Sequence, residues 1–226
     1  MRLKLPIIIV NFKSYKEGTG KRALKLAKMI ERVSKKHEVS FGVAPQFCDI
    51  RMIVNETDLP VFSQHIDPIE SFGAFTGHVT AYNVKEAGAI GTLINHSEKK
   101  LKLNDVKTCV NVARKLKLIS IVCVSNLTEA KKILQFKPNF IAYEPPELIG
   151  SGRAVSKVKP DLVKKFVSLV NREKRKIIPL CGAGIVTGDD IKKALELGTK
   201  GVLVASSIVK SKNPLRVINS MVKALS

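Results

Sequence analysis

Short runs dominated by Val and Ile alternate along this chain with longer stretches in which apolar residues recur every three or four positions. That alternation is expected of repeated strand–helix–strand units and a parallel sheet. Eight runs predict strands: Pro6 to Asn11, Val39 to Ala44, Val61 to Gln64, Ile90 to Asn95, Ile119 to Val124, Phe140 to Glu144, Lys176 to Cys181 and Gly201 to Ala205. Most are almost unbroken in apolar character, as a parallel strand covered on both faces requires. Between them, Ala23, Leu26, Ala27, Ile30 and Val33 mark the buried stripe of a helix that Thr19 is placed to cap. Thr187 or Asp189 opens a helix through Ile191, Ala194 and Leu195 that stops at Gly198. Asn213 and Pro214 open a last one through Leu215, Ile218, Val222 and Leu225. The helical segments after Cys48 and after Thr80 are short.

Eight units in 226 residues leave about 28 residues each, which suits a compact (β/α)8 barrel with some short helices. No Gly/Ser/Pro-rich linker and no low-complexity stretch interrupts the pattern, so we expect one barrel domain over residues 1–226. In such a barrel the chemistry sits at the C-terminal ends of the strands.

Composition changes this picture little. Hydrophobic residues are 45% and charged residues 26%, ordinary for a globular protein and far from disorder. No apolar run is long enough to span a bilayer, and Pro6 to Val10 is too short for a signal-peptide core, so a cytoplasmic protein is expected. Cys48, Cys109, Cys123 and Cys181 show no Cys-x-x-Cys pairing and lie in apolar context, so we expect buried free thiols. Lys and Arg exceed Asp and Glu by 39 − 19 = 20. Such an excess raises an anionic substrate or nucleic acid as partners. The lysines are scattered over predicted helix faces, and no aromatic residues are interleaved with them as a stacking platform, which argues against nucleic acid.

Reading only the predicted strand ends gives Asn11 and Lys13 after the first strand, Gln64 after the third and Asn95-His96-Ser97-Glu98 after the fourth. Glu144 follows the sixth, Gly182-Ala183-Gly184 the seventh and Ala205-Ser206-Ser207 the eighth. A carboxylate, an imidazole, an ammonium and two small-residue turns near helix N-termini would therefore converge on one mouth. The turns suit phosphate, because free backbone amides and the positive end of a helix favour an anion. No serine has the strand-turn-helix context of a catalytic nucleophile. Gly182, Gly184 and Gly188 are spaced one residue too long for a dinucleotide fingerprint, and no acidic residue ends the next strand.

Over essentially its whole length the chain resembles the triosephosphate isomerases. The matching elements are Asn11 and Lys13, the loop Gly73-Ala74-Phe75-Thr76-Gly77, Asn95-His96-Ser97-Glu98, and the run from Ala142 to Gly152 that contains Glu144-Pro145-Pro146-Glu147-Leu148-Ile149-Gly150. Its length, that run and Cys181-Gly182-Ala183-Gly184-Ile185 are similar to the short, archaeal-type branch. The resemblance implies a TIM barrel without cofactor or metal that interconverts dihydroxyacetone phosphate and glyceraldehyde 3-phosphate. It makes Glu144 the base and His96 the electrophile. Lys13, paired with Glu98, becomes the positive charge beside the intermediate and the phosphate, and Asn11 a further hydrogen bond to the substrate. Phosphate would lie against Ile149, Gly150, Gly184, Ala205 and Ser206, and Pro145 to Gly152 would be a mobile lid. Thr76 would reach a neighbouring subunit, so a homo-oligomer is implied, a tetramer more than a dimer. Two departures touch the phosphate turns. Gly184 stands where longer members carry serine, and Ser207 where short members carry glycine. Another phosphate-binding barrel isomerase and a basic nucleic-acid-binding protein are the alternatives.

Overall fold

The computed structural model describes residues 3–150, 152–173 and 176–225. Eight strands run parallel: β1 (Ile7–Asn11), β2 (Ser40–Ala44), β3 (Phe62–Ser63), β4 (Gly91–Ile94), β5 (Ile119–Val124), β6 (Phe140–Tyr143), β7 (Ile178–Cys181) and β8 (Gly201–Val204). Their order is β2-β1-β8-β7-β6-β5-β4-β3, and a bridge between Val43 and Val61 joins the two ends into a nearly closed barrel. Around it lie α1 (Lys21–His37), α2 (Ile50–Glu56), α3 (Ala81–Glu86), α4 (Leu103–Lys115), α5 (Leu127–Leu134), α6 (Val155–Val158), α7 (Pro160–Asn171), α8 (Gly188–Glu196), α9 (Ser206–Val209) and α10 (Pro214–Lys223).

The period-2 alternation of each strand divides the core into two layers. Ile7, Ile9, Phe62, Leu93, Ile121, Cys123, Phe140, Ala142, Leu180 and Leu203 point inward and fill the barrel. Ile8, Val10, Val43, Ile94, Val122, Val124, Ile141, Cys181, Val202 and Val204 point outward and pack against the helices. Strand β3 is only two residues long, and Phe62 fills the space beside it. A Cβ on Gly42 would come within 2.7 Å of that ring, and one on Gly91 within 2.8 Å, so both glycines make room for it. Truncating a phenylalanine so enclosed costs about 3–5 kcal/mol.

The strands lie where the apolar runs predict, but four of the eight stop one residue sooner. Gln64, Asn95, Glu144 and Ala205 are already outside them. At Asn95 the reason is local: its φ of +62° turns the chain out of the sheet. The α1 stripe is buried as expected. Its cap is not Thr19, whose hydroxyl donates to the Tyr15 carbonyl at 2.9 Å. Gly20 is the cap residue, and its N–H donates to Asp49 Oδ2 at 2.8 Å, from the turn after β2. Thr187 caps α8 in a reciprocal pair with Asp190, and the Asn213 side chain caps α10 ahead of Pro214. Segments α2 and α3 are short, at seven and six residues.

Cys109, Cys123 and Cys181 are buried, whereas Cys48 is exposed, against expectation. It sits in the 3-10 turn Phe47–Asp49 that follows β2, in which Asp49 is buried and Phe47 and Cys48 are exposed. Burial pushes the Cys109 and Cys181 thiols up to about 12.

Candidate active site

The C-terminal strand ends surround a cavity of about 200 Å³ lined by Asn11, Lys13, Tyr15, His96, Glu144, Ile149, Gly150, Gly182, Gly184, Ala205 and Ser206, among others. A second, wider cavity of about 490 Å³ adjoins it, sharing Asn11, Lys13 and His96 and adding Gln46, Gln64 and Glu98. The candidate residues of five strand ends are therefore gathered in one place, with Glu98 on the wall shared by Lys13.

At the end of β1, buried Asn11 accepts the Lys13 N–H through Oδ1 at 3.0 Å. That leaves the Asn11 NH2 group as the donor available to a ligand. Lys13 itself has φ of +49°, a left-handed conformation that costs a residue with a Cβ about 1 kcal/mol or more. Its ammonium is held by Glu98 Oε1 at 2.7 Å, and its side chain is only 12% exposed.

His96 follows β4 directly. The Asn95 side chain donates to the Cys123 carbonyl and to Glu129 Oε1, both at 2.9 Å, and accepts the Leu101 N–H at 3.0 Å. This tethers the turn on both sides. The Glu98 N–H then donates to His96 Nδ1 at 3.2 Å, which requires the lone pair on that nitrogen. The ring proton therefore sits on Nε2. Nε2 lies 3.8 Å from Glu144 Oε1, too far for a direct hydrogen bond and close enough for both groups to address one bound molecule.

Glu144 is 2% exposed, and its Oε2 has no hydrogen-bond partner among the described residues. Burial pushes its carboxyl above the usual carboxylate range, while His96, the Cys123 thiol and Lys13 pull against that shift. Strand register explains the crowding. Tyr143 pairs with Cys181, so Glu144 lies beside Gly182. A Cβ on Gly182 would lie 2.5 Å from Glu144 Cγ. Cys123, inward-facing on β5, closes the other side. A dry carboxylate of raised basicity opposite an imidazole N–H is suited to moving a proton at carbon next to a polarised carbonyl.

Beyond Glu144 the chain makes a 3-10 turn, Pro146–Leu148, in which Leu148 is buried and Glu147 pairs with Lys159. Gly150 and Gly152 both have φ near +70°, and Ser151 between them lies outside the described residues. This segment leans on the β7 turn. The Val155 N–H donates to the Ala183 carbonyl at 3.1 Å, and a Cβ on Gly184 would meet the Arg153 carbonyl at 2.0 Å. Glycine at 184 is thus a packing requirement as well as a conformational one, with φ of +71°. Ser207 has a stated use too: its hydroxyl donates to the Ile185 carbonyl at 3.0 Å and ties the β8 turn to the β7 turn. The N–H groups of Ser206 and Ser207 open α9 and have no intrahelical acceptor. No group of three or more His, Cys, Asp or Glu among the described residues is gathered closely enough to hold a metal ion.

The triosephosphate isomerase family model matches residues 6–221. Triosephosphate isomerase of Methanocaldococcus jannaschii is 46% identical over 217 residues, covering 96% of this chain and 99% of that one. This chain belongs to the triosephosphate isomerase family. Its relative in Methanothermus fervidus is 47% identical over 217 residues, with 96% and 97% covered. The one in Pyrobaculum calidifontis is 44% identical over 223 residues, with 99% and 97% covered. These are archaeal isomerases of nearly the same length. A solved triosephosphate isomerase from Bartonella henselae superposes with a TM-score of 0.71 over 97% of each chain at 22% identity, a likeness of fold.

Within this triosephosphate isomerase fold, Tyr15, the contacts of Gly182 and Cys123 with Glu144, and the tethering by Asn95 are the features that the sequence did not disclose. Gly182 and Cys123 touch the base only through the registers of β6 with β7 and of β5 with β6, and nothing along the chain encodes either contact. Tyr15 lies two residues beyond Lys13, where distance along the chain alone gave a hint.

Proposed function

We propose that this chain interconverts dihydroxyacetone phosphate and D-glyceraldehyde 3-phosphate by proton transfer through an enediolate, with Glu144 as the base. The observation that carries the reading is the placement of a buried Glu144 carboxylate, whose Oε2 has no hydrogen-bond partner among the described residues, with its Oε1 3.8 Å from His96 Nε2 across the cavity. Glu144 takes a proton from the carbon next to the carbonyl, and the electron pair moves onto the carbonyl oxygen. His96 Nε2–H stabilises that oxygen and passes protons between the two oxygens, after which Glu144 returns the proton to the neighbouring carbon. Lys13, steadied by Glu98, supplies preorganised charge to the developing enediolate and to the phosphate, and Asn11 a hydrogen bond to the substrate. The phosphate is assigned to the turns at Ile149-Gly150, Gly184 and Ala205-Ser206, where glycines and α9 leave amides exposed. Closure of Pro145 to Gly152 excludes water from the intermediate. The curated relatives bear the name of this activity, which supports the same reading.

A homo-oligomer, a tetramer in preference to a dimer, belongs to this reading. Phe72 is 67% exposed and Phe75 40% exposed in the 66–79 loop that carries Thr76, an apolar projection suited to a second copy of the chain. Sedimentation showing only active monomer would overturn it. No helix among the described residues is long and apolar enough to cross a membrane, and cytoplasmic location is part of the proposal. The reaction itself is tested by following conversion of glyceraldehyde 3-phosphate by purified protein beside a Glu144→Gln variant. Fast turnover that falls by several orders of magnitude in the variant supports the assignment. A folded wild type without turnover refutes it.

A further inference from the structure

Lys13 is held at its N–H, its carbonyl oxygen and its ammonium. Its left-handed backbone is unfavourable for any residue with a Cβ, so something must offset that cost if the ammonium is to stay where the proposed chemistry needs it. The N–H is held by Asn11 and the ammonium by Glu98. The carbonyl oxygen is held by two side chains outside the assigned catalytic set. Gln46 Nε2 donates to it at 2.7 Å and Gln64 Nε2 at 3.1 Å. A carbonyl oxygen accepts two hydrogen bonds, and here both come from glutamines.

The amide orientations follow from their partners. Gln46 Nε2 also faces Ser14 Oγ at 2.6 Å and Gln64 Oε1 at 3.4 Å, and Gln64 Nε2 also donates to the Ala44 carbonyl at 3.0 Å. Both NH2 groups therefore meet acceptors, whereas a flipped amide would set oxygen against carbonyl oxygen. The two glutamines come from the turn after β2 and from the end of β3, the part of the barrel with the shortest strand. We infer that Gln46 and Gln64 are positioning residues that clamp the Lys13 carbonyl, hold its left-handed backbone and so place its ammonium in the active site. Four strand ends, those of β1 to β4, then act on one lysine, each through a side chain. The inference rests on the role proposed above for Lys13.

Gln46→Met and Gln64→Met keep length and packing while removing the donors. Net hydrogen-bond values predict that each lowers kcat/KM about tenfold; because the two share one acceptor and touch each other, their effects do not add, and the pair falls below either single variant by less than about a further tenfold. Because Lys13 is assigned to both phosphate and enediolate, KM rises as kcat falls, whereas a general loss of folded enzyme would lower kcat alone. In a Lys13→Ala background the same changes cause no further loss. The crystal structure of the double variant is expected to show Lys13 released from φ near +49° and its ammonium withdrawn from Glu98. Retention of that φ and of the 2.7 Å ion pair overturns the clamp, as do losses in the Lys13→Ala background as large as in wild type. If wild type proves inactive, the reaction assignment fails and the crystallographic comparison still decides the clamp. Should the double variant not fold, Gln46→Met alone, at a partly exposed position, carries the same readings.

Discussion

Gly182→Ala is the substitution that probes the base without touching it. The φ of Gly182 lies outside the left-handed region, so the backbone itself accepts alanine. The added Cβ, however, would stand 2.5 Å from Glu144 Cγ and 2.8 Å from Oε1. Carbon atoms pack comfortably at about 3.5 Å or more, so the new methyl and the carboxylate must separate by about 1 Å. Room to absorb this is scarce, because Glu144 is enclosed and the strand end carrying Gly182 is fastened by its N–H to the Tyr143 carbonyl at 3.0 Å. A 1 Å error at a reacting group costs about a hundredfold in rate. Overpacking of this kind also costs about 1–3 kcal/mol of stability. The expected result in a steady-state assay with glyceraldehyde 3-phosphate is a kcat reduced about a hundredfold with a smaller change in KM, since the new methyl presses on Glu144 while Gly150, Gly184 and Ala205-Ser206, to which the phosphate is assigned, keep their own residues. Urea unfolding would show a modest loss in a protein that remains folded at assay temperature. A folded variant within about twofold of wild-type kcat would refute the reasoning, because it would mean that Glu144 need not occupy this position to act.

Further outcomes follow from the same geometry. Burial raises the Glu144 carboxyl above its ordinary value of 4.5, so kcat/KM should fall on acidification at a pH above that of an exposed glutamate, as a pH–rate profile would show. A raised folded-state pKa means that the carboxyl's stability contribution is full below its unfolded pKa and lost as pH rises through the folded one. Glu144→Gln, which mimics the neutral form, should therefore be more stable than wild type near neutral pH by about 1–3 kcal/mol in urea unfolding, an advantage that shrinks towards pH 4.5. Asn95→Ala removes three hydrogen bonds at a buried residue in a left-handed conformation, so it should cost about 2–4 kcal/mol and lower kcat by loosening His96. Thr187→Ala breaks the cap of α8 and should cost about 1 kcal/mol in denaturant while leaving kcat unchanged.

Periodicity made the barrel legible because it is written in every element. Val- and Ile-rich runs of strand length alternate with amphipathic helices, although runs that are apolar on both faces do not tell which residues point into the barrel. The strand ends were legible for the same reason: once the topology is a parallel barrel, polar residues that interrupt apolar runs must gather at one mouth. So Asn11, Lys13, His96, Glu144 and the glycine turns could be brought together on paper. Helix caps were less secure. Thr19 had the right chemistry one position too early, and the acceptor for the Gly20 N–H came instead from Asp49, 29 residues away.

What the tertiary structure decided is how those groups are held. The contact of Gly182 with Glu144, the Cys123 thiol beside the carboxylate and the two glutamines on the Lys13 carbonyl all arise from lateral register between strands that are distant in sequence. Register and backbone sign depend on side-chain packing across neighbours, as at Phe62 between two glycines, and a linear pattern carries no information about which lateral neighbour a residue meets. The exposure of Cys48 is of the same kind: the apolar letters around it suggest a core, but its short turn after β2 buries Asp49 and leaves the thiol outside. The barrel and the chemical groups at its rim are written in the order of the residues. Only packing in three dimensions decided the distance between His96 and Glu144, the dryness of the carboxylate and the strained backbone that aims Lys13, because each of these is a property of neighbours that the chain brings together only by folding.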